Sequence, residues 1–438
     1  MAPFIASIIR LRILLSGQVC RPNDLSTFRD RQCCIAATCK FERLREVEIF
    51  TCSNSILLIH VTATITAGIL GASRGLDAVV KTINRGQEIT MAPTIAPSGN
   101  FQNPVGLLFR MLTSGKRAAY AALFHEALRL LAKPADAMLK GKEARTLNKA
   151  ALSDLPVVLV VGAPRSGTTL VYQTLARYMD VSYVTNLTSM FPKSPVTASR
   201  MLNWLPKRDS ADFHNFYGQT ARLHGPNDGF SLWNKWLGDY RYVPRTDLNE
   251  SEQHEMRSFF SAWSQAFGKP FLNKNNRNTG CLDLLSKVLP QASFVVVRRN
   301  PLLVAQSLIN AREQVQGDKS VGWGLHSHSS DTAQDPLRYV DDVCDQILEI
   351  EQQLDDQLKH IPADRLIEVT YEGFCENPCE SLRWISGRIS GVDLKENLMA
   401  AELKPFKASA KVTLTAAEQQ RLLSRLQERR ATAQMAQR

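Results

Sequence analysis

The chain has 438 residues, 44% of them hydrophobic and 22% charged, and its formal net charge is +11. That length suits one large α/β domain with appendages or two modest domains, and the composition is that of an ordinary globular protein rather than a disordered or fibrous one. A basic surplus points to nucleic acid, anionic lipid or an anionic ligand. No Lys/Arg run or basic helix of nucleic-acid type is present, so the charge reads as a solvated surface plus one anion site.

Five cysteines (Cys20, Cys33, Cys34, Cys39 and Cys52) crowd the start of the chain, and four (Cys281, Cys344, Cys375 and Cys379) are scattered beyond it. Neither set has paired C-x-x-C spacing, and no histidine sits at ligand distance from the first set, so no metal site is expected. Scattered cysteines in the main body suit a reducing, cytoplasmic compartment.

Residues 1–95 form a poorly defined extension. Its one long apolar stretch, "SILLIHVTATITAGILGA" (Ser55 to Ala72), is barely long enough to span a bilayer. Two readings stand: a membrane anchor through 55–72, or, preferred, an extension upstream of a true start at Met91. Residues 96–150 are helical in pattern, interrupted at Pro134. Such a segment suits a helix packed on its own domain, with peripheral membrane contact through 105–150 as the other reading.

From Leu155 an α/β rhythm sets in, and residues 151–405 read as the catalytic domain. "PVVLVVG" is a buried strand and "TTLVYQTLARYM" a helix. Residues 185–265 are irregular and aromatic-rich. "PFLNK" and "SFVVV" are strands with "GCLDLLSKVLP" helical between them. "NPLLVAQSLINAR" opens a helix capped by Asn300, with Pro301 in its first turn. "RLIEVTY" is a further strand, and "ENPCESLRWISGRI" repeats the Asn-Pro start. Strands alternating with helices imply a doubly wound, mostly parallel sheet of P-loop nucleotide-kinase-like type, with helical additions at both ends. Residues 406–438 are a C-terminal helix, capped at Thr415 and expected to be exposed.

The chemistry begins at "GAPRSGTT" (Gly162–Thr169). Gly162 and Gly167 have the spacing of a phosphate-cradling loop, but Thr168 stands where a nucleotide triphosphatase has its lysine. A ring of backbone amides at a helix N-terminus remains, with hydroxyls from Ser166, Thr168 and Thr169 and a forked cation from Arg165. Without the lysine, a triphosphate with its metal is poorly served and a shorter anionic group fits better. A second anion site follows at "FVVVRRNPLLVAQSL". Arg299 ends a strand, and Ser307 lies two helical turns on. Both elements fall at carboxyl ends of parallel strands, where such sheets bind ligands.

Together these motifs resemble the sulfotransferase family that uses 3'-phosphoadenosine 5'-phosphosulfate (PAPS). That family pairs a lysine-less P-[KR]-S-G-T-T loop with an R-[ND]-P-x-x-x-x-x-S element, matched here by Pro164–Thr169 and Arg299–Ser307. "YEGFCENP" (Tyr371–Pro378) matches a third signature. The resemblance covers about residues 155–400. It implies that Arg165, Ser166, Gly167, Thr168 and Thr169 hold the 5'-phosphosulfate, that Arg299 and Ser307 clamp the 3'-phosphate, and that no metal is needed.

Lys274, in "FLNKNNRNTG", resembles a family lysine aimed at the transferring group. The general base is less plainly written. Cytosolic members place a histidine two residues after that lysine, where this chain has Asn276. The stretch "HGPND" supplies Asp228 and His224, of which Asp228 is preferred. His326 and His328 are outside candidates, in a Gly/Ser-rich loop (Gln316–Asp331) that could close over the nucleotide with Trp323. Trp204, Phe213, Phe216, Tyr217, Phe230, Trp233, Trp236, Tyr240 and Tyr242 suit either sugar rings or ordinary packing. A glycan or glycolipid hydroxyl is the preferred acceptor. Two other functions stay open: a P-loop kinase or NTPase acting on a small molecule, and a catalytically silent nucleotide-binding protein.

Overall fold

The computed structural model describes residues 104–436, except 116, 204–212, 214, 217–218, 221, 239–244, 328 and 409–410. The extension at 1–95 and the apolar stretch at 55–72 lie outside the described residues.

Helices α1 (Pro104–Thr113) and α2 (Arg117–Asn148) come first. α2 runs straight through Pro134, where the sequence led us to expect a break. A proline there forfeits the bond its amide would give to Leu130. Contacts on the C-terminal side hold the helix. Asp136 and Glu143, seven residues apart and so on one face, are both buried. Asp136 accepts from the Lys193 amide (3.1 Å) and the Ser194 hydroxyl (2.8 Å). Glu143 accepts from the amides of Val196 (3.0 Å) and Thr197 (2.8 Å). α2 thus caps a neighbouring helix, α4 below, with carboxylates at its positive end. Its outer face leaves Phe124, Leu131 and Met138 exposed.

The central sheet is assembled from β1 (Val157–Val161), β4 (Phe271–Lys274), β5 (Ala292–Arg298) and β6 (Leu366–Thr370), and a small antiparallel hairpin, β2 (Asn215–Phe216) with β3 (Gln219–Thr220), stands apart from it. The order is β4-β1-β5-β6 with every neighbour parallel. Side chains alternate along a strand. Val157, Leu159 and Val161 therefore enter one core while Val158 and Val160 enter the other. A parallel strand covered on both faces needs apolar residues at every position, which "VVLVV" supplies.

On the Val158/Val160 face lie α3 (Thr168–Tyr178), which turns Val171, Leu175 and Tyr178 inward, and elements described below. α4 (Pro195–Leu202), α5 (Phe230–Leu237), α6 (Glu250–Phe267) and α7 (Leu282–Val288) pack toward the other face. The segment read as irregular therefore contains an 18-residue helix, α6, started by an Asn249/Glu252 capping box. Trp233 and Trp236, weighed as sugar platforms, are wholly buried. They interlock with Phe259, Phe260, Trp263 and Phe271, for example Trp236 on Phe259 at 5.5 Å and Phe259 on Phe260 at 5.1 Å between ring centroids. Six large rings bury more apolar surface than a surface platform would, and the core takes them.

α8 (Pro301–Ala311) follows β5, and α9 (Arg338–Leu358) lies along it. After β6 come α10 (Tyr371–Glu376), α11 (Pro378–Arg388) and α12 (Glu396–Glu402), whose Phe374, Leu382, Ile385 and Met399 complete the second core. The last helix, α13 (Ala416–Ala436), is not a solvated appendage as expected. Leu422 and Leu426 are buried against Val340, Val343 and Ile347 of α9. Arg421 pairs with Asp341 and Asp335, and Arg425 and Arg429 with Asp345. The polar composition that suggested exposure is a ladder of ion pairs across this seam. Among the described residues no helix is long and apolar enough to cross a membrane.

Candidate active site

Between β1 and α3 the loop Gly162–Gly167 makes its turn with three residues at positive φ: Gly162 (147°), Arg165 (72°) and Gly167 (96°). The two glycines are also required by space. A Cβ on Gly167 would lie 2.0 Å from the Tyr371 ring, and one on Gly162 would lie 2.5 Å from the Val297 carbonyl. Thr279 pins the start of the loop, accepting from the Gly162 amide (3.1 Å) and donating to its carbonyl (3.0 Å). Among the described residues no side chain caps α3. Ser166 is fully buried, and among the described residues its hydroxyl meets no partner. A buried orphan hydroxyl beside an uncapped helix N-terminus is the arrangement an anionic ligand completes.

The loop opens on a cavity of about 160 Å³. Its wall takes Arg165, Gly167, Thr168 and Thr169 from the loop and α3, Lys274 and Asn276 from the end of β4, Arg299 from the end of β5 and Tyr371 from the end of β6, with Trp323 added. Each strand contributes at its carboxyl end, as expected of this sheet class.

The two phosphate elements of the sequence form one hydrogen-bonded cluster. Arg165 Nε donates to Ser307 Oγ at 2.9 Å, and Arg299 Nη1 donates to the Arg165 carbonyl at 3.0 Å. The Arg299 guanidinium lies 4.5 Å over the Tyr371 ring, with Glu372 at 3.9 Å. Burial, then Cys375, pushes the Tyr371 phenol up to about 12 against the pull of Arg299, so it stays neutral at physiological pH. Ser166 and Ser307 are not themselves on the cavity wall.

Lys274, the last residue of β4, donates from Nζ to Asp228 Oδ2 at 2.8 Å, and both are buried. The Asp228 loop is latched to the strand. Asn275 Nδ2 donates to the Asp228 carbonyl (3.0 Å), and Asn273 Nδ2 donates to the Asn227 carbonyl (3.1 Å). Nearby, the buried Tyr172 phenol is pushed well up, first by burial and then by the Asp228 carboxylate.

The structure thus brings Lys274 and Asp228 together but places His224 elsewhere, on the wall of a second cleft. His326 contacts Gln353 at 2.9 Å and is not on the cavity wall, and His328 is outside the described residues. Trp323 does reach the cavity. Its loop is fastened by Gln346 Nε2, which donates to the carbonyls of Trp323 (3.0 Å) and Leu325 (2.6 Å). Sequence reasoning passed over two site residues. Tyr371 was visible only as part of "YEGF", and Thr279 carries no local signal at all. Among the described residues no group of His, Cys, Asp or Glu gathers where it could hold a metal ion.

A lysine-less glycine loop between β1 and α3 of a parallel sheet, with Arg299 at the end of the neighbouring strand, defines a P-loop-like fold. The sequence profile of the Sulfotransferase family matches residues 156–390, more than half of the chain, and the chain belongs to that family. Solved structures to which the chain shows similarity include the sulfotransferase STF1 from Mycobacterium tuberculosis H37Rv, at 13% identity and a TM-score of 0.46, covering 73% of this chain and 90% of that one. STF9 from Mycobacterium avium is 13% identical with a TM-score of 0.44, covering 74% and 89% respectively. The sulfotransferase domain from the curacin biosynthetic pathway is 14% identical with a TM-score of 0.32, covering 63% and 99%. No curated protein matches the chain.

Proposed function

We propose that this sulfotransferase takes the sulfuryl group from PAPS and delivers it to an acceptor hydroxyl. The observation that carries this reading is the joined cluster Arg165–Ser307–Arg299 beside the orphan Ser166 hydroxyl at the start of α3. The loop, with Arg165, supplies amides, hydroxyls and charge for a phosphosulfate, Arg299 and Ser307 supply a clamp for a further phosphate, and the loop itself has no lysine for a triphosphate.

Sulfuryl transfer is an in-line displacement, in which the acceptor hydroxyl loses a proton and charge grows on the bridging oxygen of the leaving phosphate. Positioning and preorganised electrostatics supply most of the rate. Arg165, Thr168 and Thr169 hold the donor's sulfated end, with Ser166 packed behind them. Arg299 holds the 3'-phosphate, and Ser307 is linked to Arg299 through Arg165. The Lys274 ammonium, on the same wall as Thr168 and Thr169, offsets the leaving-group charge. Asp228, the carboxylate bonded to Lys274, receives the acceptor proton.

The acceptor is a hydroxyl compound. Burial removes Trp233 and Trp236 as platforms for a sugar ring, so a glycan or glycolipid acceptor now rests on other aromatic residues of the segment. Cys281, Cys344, Cys375 and Cys379 are thiols, in keeping with a reducing compartment. The test is turnover of sulfur-labelled PAPS with a set of hydroxyl acceptors that includes glycans and glycolipids. Label in an organic product supports the proposal. Tight bisphosphate binding with no transfer to any acceptor points instead to a catalytically silent nucleotide-binding protein.

A further inference from the structure

A second, larger cleft of about 430 Å³ is lined in part by Val181, Ser182 and Tyr183, and Ser182 bridges to Phe271 of the edge strand β4. Its wall includes Gln173 and Arg177 of α3, Arg222, Phe267 at the end of α6, Lys269 and Lys395. Among the described residues its wall holds no Asp or Glu. Two carboxylates partner its cations from outside. Asp180 meets Lys269 at 2.5 Å and Glu402 meets Arg177 at 2.8 Å. Four Arg and Lys side chains thus line the cleft. Both members of the Lys269–Asp180 pair are 43% exposed, so that pair is weak and the ammonium can turn to a new partner.

Gln173 supplies an independent observation. It is 5% exposed, and neither its amide nitrogen nor its amide oxygen has a hydrogen-bond partner among the described residues. Burying an unsatisfied amide is costly, and a leucine of similar size would avoid the cost. Retaining the amide on the wall of a void makes sense if something enters the void and bonds to it. Phe267, packed on the buried Trp263 at 5.0 Å between ring centroids, gives the same cleft an aromatic side.

No residue lines both this cleft and the phosphate cavity. The Pro226–Asp228 segment stands between them, held by the Tyr172 hydroxyl and the Asn273 amide, both donating to the Asn227 carbonyl. We infer that the cleft is a second binding site, separate from the phosphate cavity, for an organic anion: a carboxylate, sulfate or phosphate ester on a ring-sized apolar body. Lys269, Arg222, Arg177 and Lys395 attract the charge, Phe267 takes the ring, and Gln173 bonds to a polar atom of the ligand.

The test is calorimetric titration of the full chain with 2-naphthoate and with its neutral analogue 2-naphthamide, each with and without saturating adenosine 3',5'-bisphosphate. Naphthoate is expected to bind about tenfold or more tightly than the amide, reflecting the lost charge-assisted contact. Bisphosphate is expected to leave naphthoate bound. Lys269→Gln and Gln173→Leu are each expected to weaken naphthoate by about threefold or more, the worth of one hydrogen bond. Both variants remove groups with weak or no partners, and bisphosphate titration of the same samples shows that they are folded. Absence of naphthoate binding, equal binding of the amide, displacement by bisphosphate, or indifference to both substitutions would each overturn the inference. Naphthoate binding without bisphosphate binding would leave it standing and count against PAPS as donor.

Discussion

Lys274 and Asp228 meet at 2.8 Å on the carboxyl end of β4, at side-chain exposures of 4% and 10%. Sequence reasoning chose these two residues separately, one as a leaving-group cation and the other as a base. Their pairing ties the two roles together. A buried ion pair gains little stability over a packed apolar pair, so its place beside the phosphate cavity argues for use in chemistry. Asp228→Asn is expected to lower turnover by about 10²–10⁴-fold, the span for loss of a general base. The substitution also leaves Lys274 without its counter-charge, so the single variant is ambiguous. A double-mutant cycle with Lys274→Ala separates the roles. If Asp228 takes the proton, the double variant is slower than Lys274→Ala alone. If Asp228 only holds the lysine, the two have equal rates. His224→Asn, altered in the other cleft, is expected to do much less.

The Arg165–Ser307–Arg299 cluster predicts a graded loss of nucleotide affinity. Arg165→Ala and Arg299→Ala each remove charge-assisted contacts worth about 1.5–3 kcal/mol, so adenosine 3',5'-bisphosphate should bind roughly ten- to a hundredfold more weakly. Ser307→Ala removes one neutral hydroxyl and should cost about tenfold or less. Calorimetry on the three variants checks the order. Equal affinities for wild type and both arginine variants would dissolve the assigned site.

Gly167→Ala is expected to disable the loop. Its φ of +96° strains any side chain, and the added carbon would lie 2.0 Å from the Tyr371 ring. Overpacking of this kind costs about 1–3 kcal/mol, with the backbone strain in addition. The variant should therefore melt several degrees lower and bind bisphosphate weakly. Unchanged melting and affinity would mean that the loop does not approach Tyr371 as described.

The docked C-terminal helix has a pH signature. Glu418 accepts from the Tyr339 hydroxyl (2.6 Å), Lys319 Nζ (3.0 Å) and the Thr415 amide (2.8 Å). Burial alone would raise this carboxyl, but the hydrogen bonds from Tyr339, Thr415 and Lys319 prevail and bring it down to about 2. A lowered folded-state value means that the stabilisation is present above about pH 4.5 and is lost as the pH falls toward about 2. Glu418→Gln should destabilise the protein by roughly 1–3 kcal/mol at pH 7, and the gap from wild type should narrow below pH 4.5. Denaturant melts across that range measure it. A gap independent of pH would show that the carboxylate is not what secures α13.

The sheet and phosphate loop were legible because their signals are local. Five apolar residues in a row, a Gly-x-x-x-x-Gly turn, and Asn-Pro helix starts at Asn300 and Asn377 each announce themselves within a few residues. Three features were hidden because they depend on distant partners. α6 carries its capping box openly at Asn249, but its aromatic face has meaning only against Trp233, Trp236 and Phe271. α2 survives Pro134 because Asp136 and Glu143 engage residues about 55 positions away. α13 looks polar because Arg421, Arg425 and Arg429 answer acids on α9. In the site itself, the residues on the loop and at strand ends could be picked from motifs, but the joining of Arg165 to Ser307 and of Lys274 to Asp228 is a product of the fold.

The central claim is that the cavity receives PAPS without a metal. Its most direct test is calorimetric titration of the wild-type protein with adenosine 3',5'-bisphosphate in the presence of a chelator, set against ATP with magnesium. The account predicts saturable one-site binding of the bisphosphate without metal, weakened by Arg299→Ala, and markedly weaker binding of ATP with magnesium. Preference for ATP with magnesium, or bisphosphate binding that disappears in chelator, would contradict it.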